Sequence, residues 1–105
     1  VTLGPRGCLA RHQGAFYLQN AFRVDAVDTT GAGDTFCGTL VAALSQGADM
    51  AQALRQASAA AALACTQAGA QSSIPLAQEV AVFMSQNAPL YKDDTMALRS
   101  YCGLA

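Results

Sequence analysis

Asp28-Thr29-Thr30-Gly31-Ala32-Gly33-Asp34-Thr35-Phe36 is the stretch on which the fold of this chain turns. Before it, residues 22–27 (FRVDAV) alternate apolar with polar and then become apolar, the pattern of a strand leaving an exposed face. After it, Phe36, Leu40, Val41 and Leu44 fall at i, i+4, i+5 and i+8, which predicts an apolar helical face from about Gly33 to a stop at Gly47. Strand, small-residue turn and helix therefore follow one another. The first amides of a helix have no internal acceptor, and the helix dipole places partial positive charge beside them. Gly31, Ala32 and Gly33 carry no bulk, so an anion such as a phosphate can approach the backbone.

Asp34 lies at the mouth of that anion hole. A carboxylate there would repel a phosphate unless it had another task, and accepting the proton of an attacking hydroxyl is that task. Phosphoryl transfer needs an in-line nucleophile, charge stabilisation of the moving group and a base or orienter. The turn supplies the last two. Asp28 and Asp34 are also residue types that cap turns and helices, so a bare GxGD has a purely structural reading. No Gly-Lys-Ser/Thr follows and there is no GxGxxG, so this is neither a Walker A loop nor a dinucleotide fingerprint.

Outward from the turn, Gly4-Pro5-Arg6-Gly7 is a strong turn signal after the apolar run of residues 1–3. Residues 8–11 and 15–19 read as short strands joined by His12-Gln13-Gly14. Asp49 is a suitable N-cap for a second helix to about Gln67, with Ala53, Leu54, Ala57, Ala61, Ala64 and Cys65 on its packed face and Gly69 as its stop. A third helix is expected over 76–86, with Val80, Phe83 and Met84 inward. Residues 87–105 are weakly patterned, with one or two helical turns expected over 95–101.

The chain has 105 residues, 52% of them apolar, and a net charge of −1. Its six basic residues are scattered, which argues against nucleic acid, and no apolar run is long enough to span a bilayer. Cys8, Cys37, Cys65 and Cys102 form no CxxC pair or zinc-like cluster, and read as buried thiols in a reducing, cytoplasmic setting. His12 reads as a solvated turn residue, and Tyr17, Phe22 and Phe36 as packing residues. The absence of an initiating Met before the run Val1-Thr2-Leu3 suggests a fragment or a processed piece.

Residues 28–38 (DTTGAGDTFCG) resemble the C-terminal signature of the ribokinase-like carbohydrate kinases. Residues 2–7 (TLGPRG) are similar to that family's nucleotide-contacting loop, 59–64 to its Ala-rich helix beside the adenine, and 69–75 (GAQSSIP) to the loop that follows. The match is collinear over about residues 1–86. It implies an α/β fold, the C-terminal segment of a three-layer α/β/α domain built of strands and then about three helices. Residues 1–88 would form that segment and 89–105 an extension. The resemblance further implies that Asp34 is the general base acting on a sugar's primary hydroxyl, and that Gly31, Ala32 and Gly33 cradle the γ-phosphate. Thr2, Gly4 and Gly7 fall where the family contacts ATP, and Ser58 falls near the adenine. Asp28, Thr30, Ala64, Gln67, Gly69 and Ser73 fall where the family holds a monovalent cation, K+, through oxygen atoms. Mg2+ would accompany ATP, and a homodimer is compatible with the resemblance.

Ribose is the first expectation for the sugar; fructose, 2-keto-3-deoxygluconate and nucleosides are the alternatives, because fold does not dictate substrate. Family members are two to three times longer, so this chain alone is expected to be a poor catalyst. Two other readings carry different consequences. A non-catalytic nucleotide-binding module would bind nucleotide without turnover, and a structural fragment would associate through its apolar faces without binding nucleotide.

Overall fold

The structure, a computed structural model, describes residues 7–22, 31–66, 77–86 and 102–103. Strands β1 (Cys8–His12) and β2 (Ala15–Gln19) form an antiparallel hairpin, with Cys8 opposite Gln19 and His12 opposite Ala15. Gln13 and Gly14 have φ of 52° and 81°. Two successive left-handed residues make the tight connection whose twist suits paired strands. The turn is thus two residues long, and His12, expected within it, is the last residue of β1 and is exposed. The Arg11 guanidinium lies over the ring of its cross-strand partner Phe16, 5.6 Å from the centroid. The parallel sheet expected of the complete fold, and residues 23–27 of the predicted strand, lie outside the described residues.

Three helices follow: α1 (Ala32–Ser45), α2 (Met50–Cys65) and α3 (Ala77–Gln86). The break between α1 and α2 is chemically explicit. Gly47 has φ 94°, its amide bonds the Leu44 carbonyl, and the Ala48 amide reaches back to Ala43 at 3.0 Å. This pair of bonds closes the C-terminus of α1 around a left-handed glycine. Two residues on, the Asp49 carboxylate accepts from the Gln52 amide at 2.8 Å and starts α2. The sequence places both signals correctly. Helix α2 ends at Cys65 with Thr66 as its C-cap, short of the expected end near Gln67; the expected start of α3 at Leu76 and the helical turns over 95–101 fall outside the described residues.

Helix α2 is the axis of the packing. Alanine favours helix and leaves room for close approach. Ala53, Ala57, Ala59, Ala60, Ala62 and Ala64 are all buried, so α2 is enclosed on more than one side. One cluster joins Cys8 of the hairpin and Phe36 of α1 to Leu54 and Ala57, with Leu40 and Tyr17 packed against it. A second joins Phe22, Ala59, Ala60, Ala62 and Val80, with Phe83 and Met84 alongside, as expected for α3. The Phe22 and Phe83 rings meet at 5.5 Å in a tilted arrangement.

Two expectations for α1 need correction. The apolar spacing places Val41 and Leu44 on its packed face, but Val41 is 66% exposed and Leu44 is also exposed. Cys37, expected as a buried thiol, is exposed. The reason is helical phase: Thr35, Phe36, Leu40 and Ala43 share the side turned to α2 and the hairpin, and 100° per residue carries Cys37, Val41 and Leu44 to a different side. None of the four cysteines forms a disulfide; Cys8 is buried, and Cys65 and Cys102 are partly exposed.

Candidate active site

The first turn of α1 builds the site. Gly31 is its N-cap, with φ 80° and ψ −1°, a left-handed conformation that a side chain would strain. Among the described residues no side chain caps this end. The first bond within the helix runs from the Thr35 amide to the Gly31 carbonyl at 2.9 Å. The amides of Ala32, Gly33 and Asp34 precede it and have no carbonyl to meet inside the helix. A side chain on Gly33 would meet no protein atom within 4 Å. Its missing Cβ is therefore not demanded by packing among the described residues, and it leaves open space beside the amides that have no acceptor within the helix. The helix starts at Ala32, one residue before the expected start.

Asp34 is exposed in that first turn, beside the positive end of the helix dipole. It stands at one end of a cleft of about 860 Å3 that runs along α1 to Gln46, with Val80, Ala81 and Met84 of α3 on the other wall. Thr35 lines the same end, 3% exposed, and its Oγ1 is buried with no hydrogen-bond partner among the described residues. The sequence reading did not single out Thr35. Its position directly after the proposed base is visible in the sequence, but its burial is a product of packing.

The other predicted residues separate. Gly7 is buried with φ 119°, and a Cβ there would collide with the Gln19 carbonyl oxygen, so the hairpin itself requires this glycine. Ser58 is buried in α2, and its hydroxyl lies 3.9 Å from the Cys8 thiol. Burial raises the Cys8 pKa, and the hydrogen bond between Cys8 and Ser58 offsets part of that rise. Ala64 is buried in the last turn of α2, where carbonyls run out of helical donors and the dipole is negative, an environment suited to a cation. Among the described residues no group of three His, Cys, Asp or Glu side chains could hold a metal. Thr2, Gly4, Asp28, Thr30, Gln67, Gly69 and Ser73 lie outside the described residues.

A helix N-terminus whose first amides have no acceptor within the helix, an open glycine and an adjacent carboxylate thus stand together on this scaffold. Comparison with known proteins makes this specific. Residues 1–77 match the model of the pfkB family carbohydrate kinases, and the chain belongs to that family. It is similar to ribokinase of Haemophilus influenzae, 44% identical over 84 residues that cover 80% of this chain and 28% of the relative. The crystal structure of Thermotoga maritima ribokinase superposes with a TM-score of 0.75 at 43% identity, over 80% of this chain and 28% of that one. An E. coli protein described as ribokinase II, solved with ATP and Mg2+, superposes with a TM-score of 0.76 at 31% identity, over 79% and 27% of the two chains. Relatives named for other acceptors, a fructokinase of Arabidopsis thaliana and a deoxyribokinase of Salmonella typhimurium, match at 38% identity. The chain spans less than a third of the length of these relatives.

Proposed function

We propose that this chain is the phosphoryl-transfer segment of an ATP-dependent sugar kinase, with residues 1–88 forming the kinase portion and 89–105 an extension. The observation that carries this reading is the first turn of α1: three amides without helical acceptors, open space at Gly33 and the exposed Asp34 carboxylate beside them. In the proposed step, Asp34 takes the proton of the sugar's primary hydroxyl. That oxygen attacks the γ-phosphorus of ATP, the new O–P bond forms, and the bond to the β-phosphate oxygen breaks to release ADP. The amides of Ala32, Gly33 and Asp34 face the equatorial charge that spreads over the moving phosphoryl group.

Mg2+ would ride on the ATP phosphates and neutralise part of their charge, consistent with the ATP–Mg2+ complex of the E. coli relative. Thr2, Gly4, Gly7 and Ser58 are assigned by family resemblance to the ATP side. K+ would bind between the end of α2 at Ala64 and the residues Asp28, Thr30, Gln67, Gly69 and Ser73. Ribose is the preferred acceptor, because the most similar curated relatives include ribokinases; fructose and deoxyribose are the competitors that other relatives support.

The test is ADP release by the full-length kinase containing this segment, with ATP, Mg2+ and a panel of sugars, with and without K+. Asp34→Asn keeps size and removes the base, and should lower kcat by about 10²–10⁴ while leaving the KM for ATP close to its starting value. Sugar-dependent turnover that is indifferent to Asp34→Asn would end the proposed mechanism.

A further inference from the structure

Residues 57–62 of α2 read ASAAAA, alanine at every place but Ser58. A hydroxyl set into a buried alanine run costs free energy unless a polar group answers it. Ser58 is 8% exposed, and the group that answers it is the Cys8 thiol, 3.9 Å away and 50 residues distant in sequence. That distance suits sulfur and exceeds what two oxygens bridge. Burial raises the Cys8 pKa above 9.0, so at neutral pH the thiol keeps its proton and the contact joins two neutral groups. A hydroxyl has one proton and two lone pairs. The Cys8 contact occupies one of these, fixes the rotor and leaves the rest of the Ser58 hydroxyl available in a set direction.

Cys8 also stands at a junction. It follows Gly7, whose absent Cβ lets the backbone close on the Gln19 carbonyl, and it pairs with Gln19 across the hairpin. Leu54 and Ala57 of α2 pack with it in one cluster. The contact therefore lies where the start of β1 meets α2, and its neighbours on the two sides, Gly7 and Ser58, are the residues assigned to ATP. Described residues bury one another here, so the contact does not depend on any chain outside this segment. We infer that Cys8 is a positioning residue for nucleotide binding: its thiol orients the Ser58 hydroxyl toward ATP and so ties the start of β1 to α2 on that side. Cys8 does not touch ATP; it acts through Ser58. This inference rests on the assignment of Gly7 and Ser58 to the ATP side in the proposed function, and not on the role of Asp34.

The experiment is a double-mutant cycle in the full-length kinase containing this segment. Cys8→Ala, Ser58→Ala and the pair are compared with the unaltered protein. ATP with Mg2+ is titrated by calorimetry without sugar, well below the lowest thermal midpoint, so that every variant is folded and no turnover is needed. The kcat and the KM for the sugar are measured beside it. Cys8→Ala is expected to weaken ATP binding by about threefold to tenfold, the worth of one modest hydrogen bond, with the KM for the sugar unchanged. Ser58→Ala should weaken it at least as much; alanine continues the run around it, so only the hydroxyl is lost. The pair should be no weaker than Ser58→Ala alone. ATP binding that is indifferent to Cys8→Ala would overturn the inference. So would losses that add in the pair, which would make Cys8 an independent packing residue, or a parallel loss of ATP and sugar affinity, which would make its role general to the fold. An unaltered kinase that does not bind ATP removes the ATP-side assignment and the inference together. One that binds ATP, shows the Cys8–Ser58 coupling and releases no ADP with any sugar fails the catalytic reading and keeps this one.

Discussion

Asp34 and the two thiols Cys8 and Cys37 show how position within a helix or strand decides what a side chain can do. Asp34 and Cys37 are one turn apart on α1 and both are exposed, whereas Cys8 is 1% exposed beneath α2. The thiolate is the reactive form, so burial both shields Cys8 and disfavours its reactive state. Cys37 should therefore label much faster than Cys8 in the native 105-residue chain, and Cys8 should react only on unfolding. The same burial predicts a pH dependence. The folded-state pKa of Cys8 is raised above its ordinary value of 9.0. Between the unfolded and folded values the native state binds more protons, so the contribution is fully present below the ordinary thiol value and is lost as pH rises through the folded one. Urea midpoints measured at neutral and alkaline pH should fall on alkalinisation, and the fall should be smaller in Cys8→Ala.

At the scale of elements, the α1–α2 junction is where local chemistry is strongest. Gly47 and Asp49 stand two residues apart, one ending a helix and the other beginning the next. Replacing the Asp49 carboxylate in Asp49→Ala leaves the Gln52 amide without its acceptor and should cost about 1 kcal/mol. Gly47→Ala forces a Cβ into φ 94° and should cost about 1–2 kcal/mol, although nothing crowds the added atom. Denaturant titration of each variant checks these values; no loss in Gly47→Ala would mean that the junction relaxes into another turn. These two signals were legible in advance because a cap depends on a few neighbouring residues. The phase of α1 was not. Its sequence is apolar on several sides, so periodicity alone could not tell whether Val41 and Leu44 or Thr35 and Ala43 faced the core.

For the molecule as a whole, α2 decides the architecture, since both core clusters share it. Small side chains at Ala57 and Ala60 set how closely the hairpin, α1 and α3 approach. Ala60→Leu should destabilise by about 1–3 kcal/mol through overpacking, despite adding apolar volume. Ala51→Leu, on the exposed part of the same helix, should stay within about 0.5 kcal/mol. Equal thermal midpoints for the two variants would show that α2 is not enclosed as described. The candidate site depends on this packing, because Phe36, two residues after Asp34, is anchored against Leu54 and Ala57 of α2.

By itself the sequence determined the order of the described elements, the hairpin, the helix boundaries near Gly47 and Asp49, the glycine-rich turn that opens α1 at Asp34, and the family. All of these are written in short stretches: turn residues, caps and a nine-residue motif act over a few positions. Only the tertiary structure decided which faces are covered. It buried Thr35 beside Asp34, gave Gly7 a packing role against Gln19, joined Ser58 to Cys8, and left Cys37, Val41 and Leu44 in the open. The physical reason is that burial is a relation between segments distant in sequence. On an Ala- and Leu-rich helix, where every side is apolar enough to be buried, hydrophobicity alone cannot choose among them.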